Sequence, residues 1–80
     1  MQAIDSFRTA LELARHQAEV LRLAGYRGHI LPRRQEQRIE LVALKPRSKT
    51  ALHITYHPDG VEMERLPAAS LAEARALIEA

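Results

Sequence analysis

The chain contains no cysteine and no tryptophan, and Phe7, Tyr26 and Tyr56 are its only aromatic residues. Without cysteine there is no disulfide framework and no thiolate metal site, a composition that suits a reducing cytoplasm. The scarcity of aromatics leaves a core of Leu, Ile, Val, Ala and Met. No apolar run approaches the roughly 18 residues of a membrane span. The opening MQAIDSFRTALELARHQAEV is charged throughout and lacks the apolar centre of a signal peptide. A soluble, cytoplasmic protein with no membrane association is expected. Only three glycines are present, and they are scattered, which excludes a Gly-rich phosphate loop.

With 80 residues, the chain is expected to form a single domain, 1–80. Such a domain buries only about 60% of its unfolded surface. Oligomerisation is the usual supplement when disulfides and metals are missing, so a homodimer is one expectation. The formal net charge of +2 hides a strong polarity. Residues 1–24 balance three cations against three acids. Residues 25–50 carry seven cations against Glu36 and Glu40, net +5. Residues 51–80 carry two cations against five acids, net −3.

Residues 4–24 read as a helix. Phe7, Ala10, Leu11, Ala14, Ala18 and Leu21 recur at spacings of three and four, and Leu13, Val20 and Ala24 widen that stripe. Asp5 or Ser6 can cap its start, and Gly25 can end it in a left-handed turn. YRGHIL, residues 26–31, reads as either a short strand or an extended connection, with Pro32 against a central strand. RIELVAL, residues 38–44, is a strand whose second face is partly apolar through Val42 and Leu44. ALHITYH, residues 51–57, alternates Leu52, Ile54 and Tyr56 with His53, Thr55 and His57, as a half-buried strand does. HPDG signals a turn, and VEMERL returns as a strand. The chain closes on a helix, with Ser70 as N-cap and Glu73 placed for a capping box. The expected fold is α+β: a helix, a three- or four-stranded antiparallel meander and a helix, with both helices packed on one sheet face.

The basic block LPRRQEQRIELVALKPRSKT is the leading functional candidate. Arg33, Arg34, Arg38, Lys45, Arg47 and Lys49 can neutralise phosphates and release counterions, and the hydroxyls of Ser48 and Thr50 suit the same role. His53 and His57 would share the free sheet face beside them. The expected partner is nucleic acid or a nucleoprotein complex. No aromatic pair supports base stacking. A basic end and an acidic end also suit head-to-tail association or electrostatic docking on a protein partner, as an inhibitor or adaptor would do.

Catalysis is not expected. Ser6, Ser48 and Ser70 stand in cap and loop contexts with no base in pattern. His53 and His57 on a strand lie roughly 13 Å apart, too far for one ion, so neither a metal nor another cofactor is anticipated. A small ribonuclease built on His53 or His57 with Arg47 or Lys49 is the alternative that the residue types allow.

HITYHPDGVEMERLPAASLAEARALI resembles the second half of HicA-type toxins, small ribonucleases related to double-stranded-RNA-binding domains. The shared elements are His53 and His57–Pro58, Leu66–Pro67, and Leu71 opening the last helix. The resemblance implies a helix, three strands and a helix. The family's catalytic histidine falls at Leu52, and the Gly-Ser before it is missing. LPAASLAEAR is similar, at Pro67 and Ser70 to Arg75, to the arm-type DNA-binding domains of tyrosine recombinases, where these positions brace a DNA-reading sheet. In format alone, a single charged α+β domain is similar to phage-encoded anti-CRISPR antagonists.

Overall fold

A computed structural model describes residues 3–79, with side chains from Phe7 to Glu79. The elements in order are α1 (Ala3–Leu23), β1 (Arg27–Arg33), β2 (Arg38–Leu44), β3 (Ala51–His57), β4 (Gly60–Leu66) and α2 (Leu71–Glu79). The strands form one antiparallel sheet in the order β1-β2-β3-β4. The α+β meander therefore holds, with the larger of the two expected strand counts.

Helix α1 follows from its apolar stripe, which packs Phe7, Ala10, Leu11, Ala14, Ala18 and Leu21 toward the sheet. Its backbone is helical from Ala3, so Asp5 and Ser6 lie within the helix rather than at a cap. Their side chains are outside the described residues. The C-terminus closes as expected. Gly25, at φ +98°, donates to the Arg22 carbonyl at 3.0 Å, and the Tyr26 N–H reaches back to Leu21 at 2.9 Å. This pair of bonds satisfies the last carbonyls of the helix and turns the chain into the sheet. At α2 the Ser70 hydroxyl accepts from the Glu73 N–H at 3.1 Å. The Glu73 carboxylate in turn accepts from the Ala69 N–H at 2.8 Å.

The open question at residues 26–31 resolves into a strand that runs on through Pro32 to Arg33. Strand β1 is an edge strand, and on its free side a missing N–H costs no ladder bond. Four residues join β1 to β2, with Gln37 left-handed at φ 58°. The 45–50 loop joins β2 to β3, and Pro58–Asp59 makes the tight turn into β4.

The expectation that both helices share one sheet face is corrected. Ile39, Leu41, Ile54 and Tyr56 face α1, whereas Val42, Leu44 and Ala51 face α2 together with Leu31 and Leu66. Leu41 and Val42 are consecutive in one strand, so they point to opposite faces. Strand β2 is therefore apolar on both sides and must be covered on both. Ile39, Leu41 and Val42 are fully buried, each stabilising the fold by about 2 kcal/mol. Helix α1 lies over β1 and β2, and only marginally over β3. The α1-side face of β4 is left open, with Val61 59% and Met63 63% exposed.

Candidate nucleic-acid interface

The six basic residues fall at two ends of the sheet, as an antiparallel meander requires. Arg33 and Arg38 flank the β1–β2 turn and Arg34 lies in it, whereas Lys45, Arg47 and Lys49 lie on the loop at the other end of β2. A seven-residue strand holds the two groups about 23 Å apart.

At the first end the cations are engaged. Glu40 sits on the α2 face of β2, only 2% exposed. It accepts from Arg33 Nε at 3.2 Å and from Arg38 Nε at 3.1 Å, and its other oxygen lies 2.9 Å from His53 Nε2. Arg33 also reaches Glu79 on α2 at 3.3 Å. Burial works to raise the Glu40 carboxyl, but the hydrogen bonds from His53 and Arg38 and the charges of Arg33 and Arg38 outweigh it. Glu40 is thus held below the usual carboxylate range. Arg34 lies over the Phe7 ring, 5.0 Å from its centroid, a cation–π contact. This end of the basic block is mostly a structural device that makes a buried acid tolerable.

The histidines are placed differently from the expectation of two open side chains on a free face. His53 is nearly buried, with Nδ1 2.9 Å from Glu64 and Nε2 2.9 Å from Glu40. Thr55 Oγ1 lies 3.4 Å from Nε2. This superficially resembles a nucleophile beside a base. A general base needs a nitrogen lone pair aimed at the hydroxyl, and here both ring nitrogens are directed at carboxylates. His53 thus acts as a bridge between β2 and β4. His57 pairs with Glu62 at 3.3 Å. Among the described residues no cluster of three or more His, Asp and Glu side chains is arranged to hold a metal ion.

The second end is different in kind. Arg27, Lys45 and Arg47 line a cleft of about 490 Å³ between the 45–47 segment and the Ala69–Leu71 start of α2. Lys49 lies on the same loop, and Arg65, paired across from Leu52, points from the same end of β4. Among the described residues, Arg27, Lys45, Arg47, Lys49 and Arg65 have no carboxylate partner. Lys45 lies over the Tyr26 ring, 5.3 Å from the centroid, which steadies it without neutralising it. Arg47 holds φ 67°, an uncommon conformation for a side-chain-bearing residue. The loop is braced from within: the Ser48 N–H donates to the Lys45 carbonyl at 3.1 Å, and Ser48 Oγ accepts from the Thr50 N–H at 3.1 Å.

Two participants escaped the sequence reading. Arg27 lies outside the 31–50 basic block, and only the register that sets it opposite Leu44 brings it to Lys45. Glu40 was counted as a minor offset to the block. Its signal was an acid inside the otherwise apolar IELVAL, a position that demands partners. No described helix is long and apolar enough to cross a membrane. Comparison with known proteins finds no matching family model, no matching curated protein and no matching solved structure.

Proposed function

We propose that this protein is a non-catalytic binding module that grips the phosphate backbone of nucleic acid with the cationic end of its sheet. The observation that carries the reading is that Arg27, Lys45 and Arg47 line one cleft, with Lys49 on the same loop, and that none of the four has a carboxylate partner among the described residues. Guanidinium and ammonium groups without a carboxylate partner give up no ion pair on meeting phosphate, and they release its condensed counterions. Arg33 and Arg38 are already committed to Glu40 and contribute little. The absence of stacked aromatics favours backbone contact over base readout. The buried position of His53 between two carboxylates supports binding rather than cleavage.

The test is fluorescence anisotropy of labelled duplex DNA and duplex RNA across a salt series. Arg47→Ala and Lys49→Ala should each weaken binding and reduce the salt slope by about 1. Arg34→Ala, at the far end, should change it far less. No binding at low salt, where attraction is strongest, or equal losses from both ends, would overturn the assignment.

A further inference from the structure

We infer that the free edge of β4 is a docking strand for β1 of a second copy of this chain, so that copies join head to tail in one continuing sheet. Strand β4 is exposed along nearly its whole length. On the α1 face it shows Val61 and Met63, and on the α2 face Glu62 and Glu64. The opposite edge, β1, carries the complement. On the α1 face it shows Gly28, Ile30 and Pro32, and on the α2 face Arg27, His29 and Arg33.

The topology makes the two edges geometrically compatible. In a four-stranded meander, β1 and β4 run in opposite directions. A copy displaced along the sheet therefore presents β1 antiparallel to β4, with like faces on the same side. The register that sets Glu62 opposite His29 of the second copy also sets Glu64 opposite Arg27, Val61 opposite Ile30 and Met63 opposite Gly28. Glu64 then meets the Arg27 guanidinium and Glu62 meets the His29 imidazole, a hydrogen-bonding partner, and the apolar layer continues across the seam. The absent side chain of Gly28 leaves room for Met63. Pro32, which offers no N–H, falls opposite Asp59 in the β3–β4 turn, outside the paired stretch.

Charge disfavours the two-fold dimers that pair either edge along its whole length. Pairing β4 with itself about Met63 sets Glu62 against Glu64 twice. Pairing β1 with itself about Ile30 sets Arg27 against Arg33. Like charges directly opposite are destabilising, whereas the head-to-tail seam has none. Repetition would also align the cationic ends in a row about 19 Å apart, four strand spacings. That consequence rests on the phosphate grip proposed above, while the seam itself does not.

The experiment is sedimentation velocity of the full chain without nucleic acid, over a concentration series at low and moderate salt. Association that grows past the dimer and weakens with salt is expected, as a heterologous contact requires. R27E/H29E and E62K/E64K should each weaken it about tenfold. An equimolar mixture of the two variants should associate again, because each then offers the edge the other lacks. Circular dichroism checks the fold. E62K alone replaces the double variant if loss of the Glu64–His53 bond unfolds it. A wild-type chain that stays monomeric at millimolar concentration overturns the inference, even if a foreign basic strand binds. So does an R27E/H29E variant that associates as tightly as wild type, because β4 would then not be meeting β1.

Discussion

Glu40→Gln tests the buried network directly, because it removes one negative charge and keeps the shape of the side chain. The Glu40 carboxylate faces Arg33 at 3.2 Å, Arg38 at 3.1 Å and His53 at 2.9 Å. Removing one partner of a buried ion pair costs about 3–5 kcal/mol. The Arg33 and Arg38 side chains are 28% and 38% exposed and can turn toward water, which brings the expected cost to about 3 kcal/mol. A domain of this size has roughly 4–12 kcal/mol in all, so Tm should fall by about 12–24 °C. Urea titration followed by circular dichroism measures the loss. The m value should not change, because the same surface is exposed on unfolding. The pH dependence gives a second reading. The Glu40 carboxyl is lower in the fold than its unfolded value of about 4.3. Its contribution is therefore complete above that pH and is lost as pH falls through the lowered native value. The gap between wild type and Glu40→Gln should narrow in acid. A cost under about 1 kcal/mol at neutral pH, typical of exposed pairs, or a gap that stays constant into acid, would refute the reasoning.

Other substitutions probe other elements. Gly25→Ala should cost about 1 kcal/mol through backbone strain alone, because φ is +98° while the nearest atom to an added Cβ is Lys45 Cε at 3.9 Å. Thermal unfolding checks this, and Gly25→Asn should lose less. Ala14→Leu should destabilise by about 1–3 kcal/mol in a denaturant titration, since Ala14 is fully buried against the Ile39–Leu41 layer. Burial raises the Tyr56 phenol above its ordinary value. Its contribution is present below about pH 10 and declines as pH rises through the raised native value. Stability measured from neutral to alkaline pH should therefore fall at the alkaline end, and Tyr56→Phe should remove that fall.

Much of the fold was legible because it rests on local patterns. The stripe from Phe7 to Leu21, the Gly25 turn, the alternation of Leu52, Ile54 and Tyr56, and the Ser70–Glu73 cap each involve residues within a few positions of one another. What the sequence did not reveal depends on pairing between distant segments. Val42 and Leu44 announced a second apolar face on β2, but only the packing of α2 on it shows that the helices take opposite sides. A meander sends the two halves of the cationic run to opposite ends, as the sequence already implies, but which of those cations a buried acid engages depends on the pairing of β2 with β3.

By itself, then, the sequence determined the elements and their order, the charge polarity and the absence of thiolate chemistry, because periodicity and composition are properties of the chain alone. Only the tertiary structure decided which charges stay available. Arg33 and Arg38 are drawn to Glu40 because a carboxylate buried on a central strand must be compensated, and His53 is enclosed by the same requirement. Arg27, Lys45, Arg47 and Lys49 have no carboxylate partner among the described residues because strand register gathers them at an end of the sheet that no described carboxylate reaches.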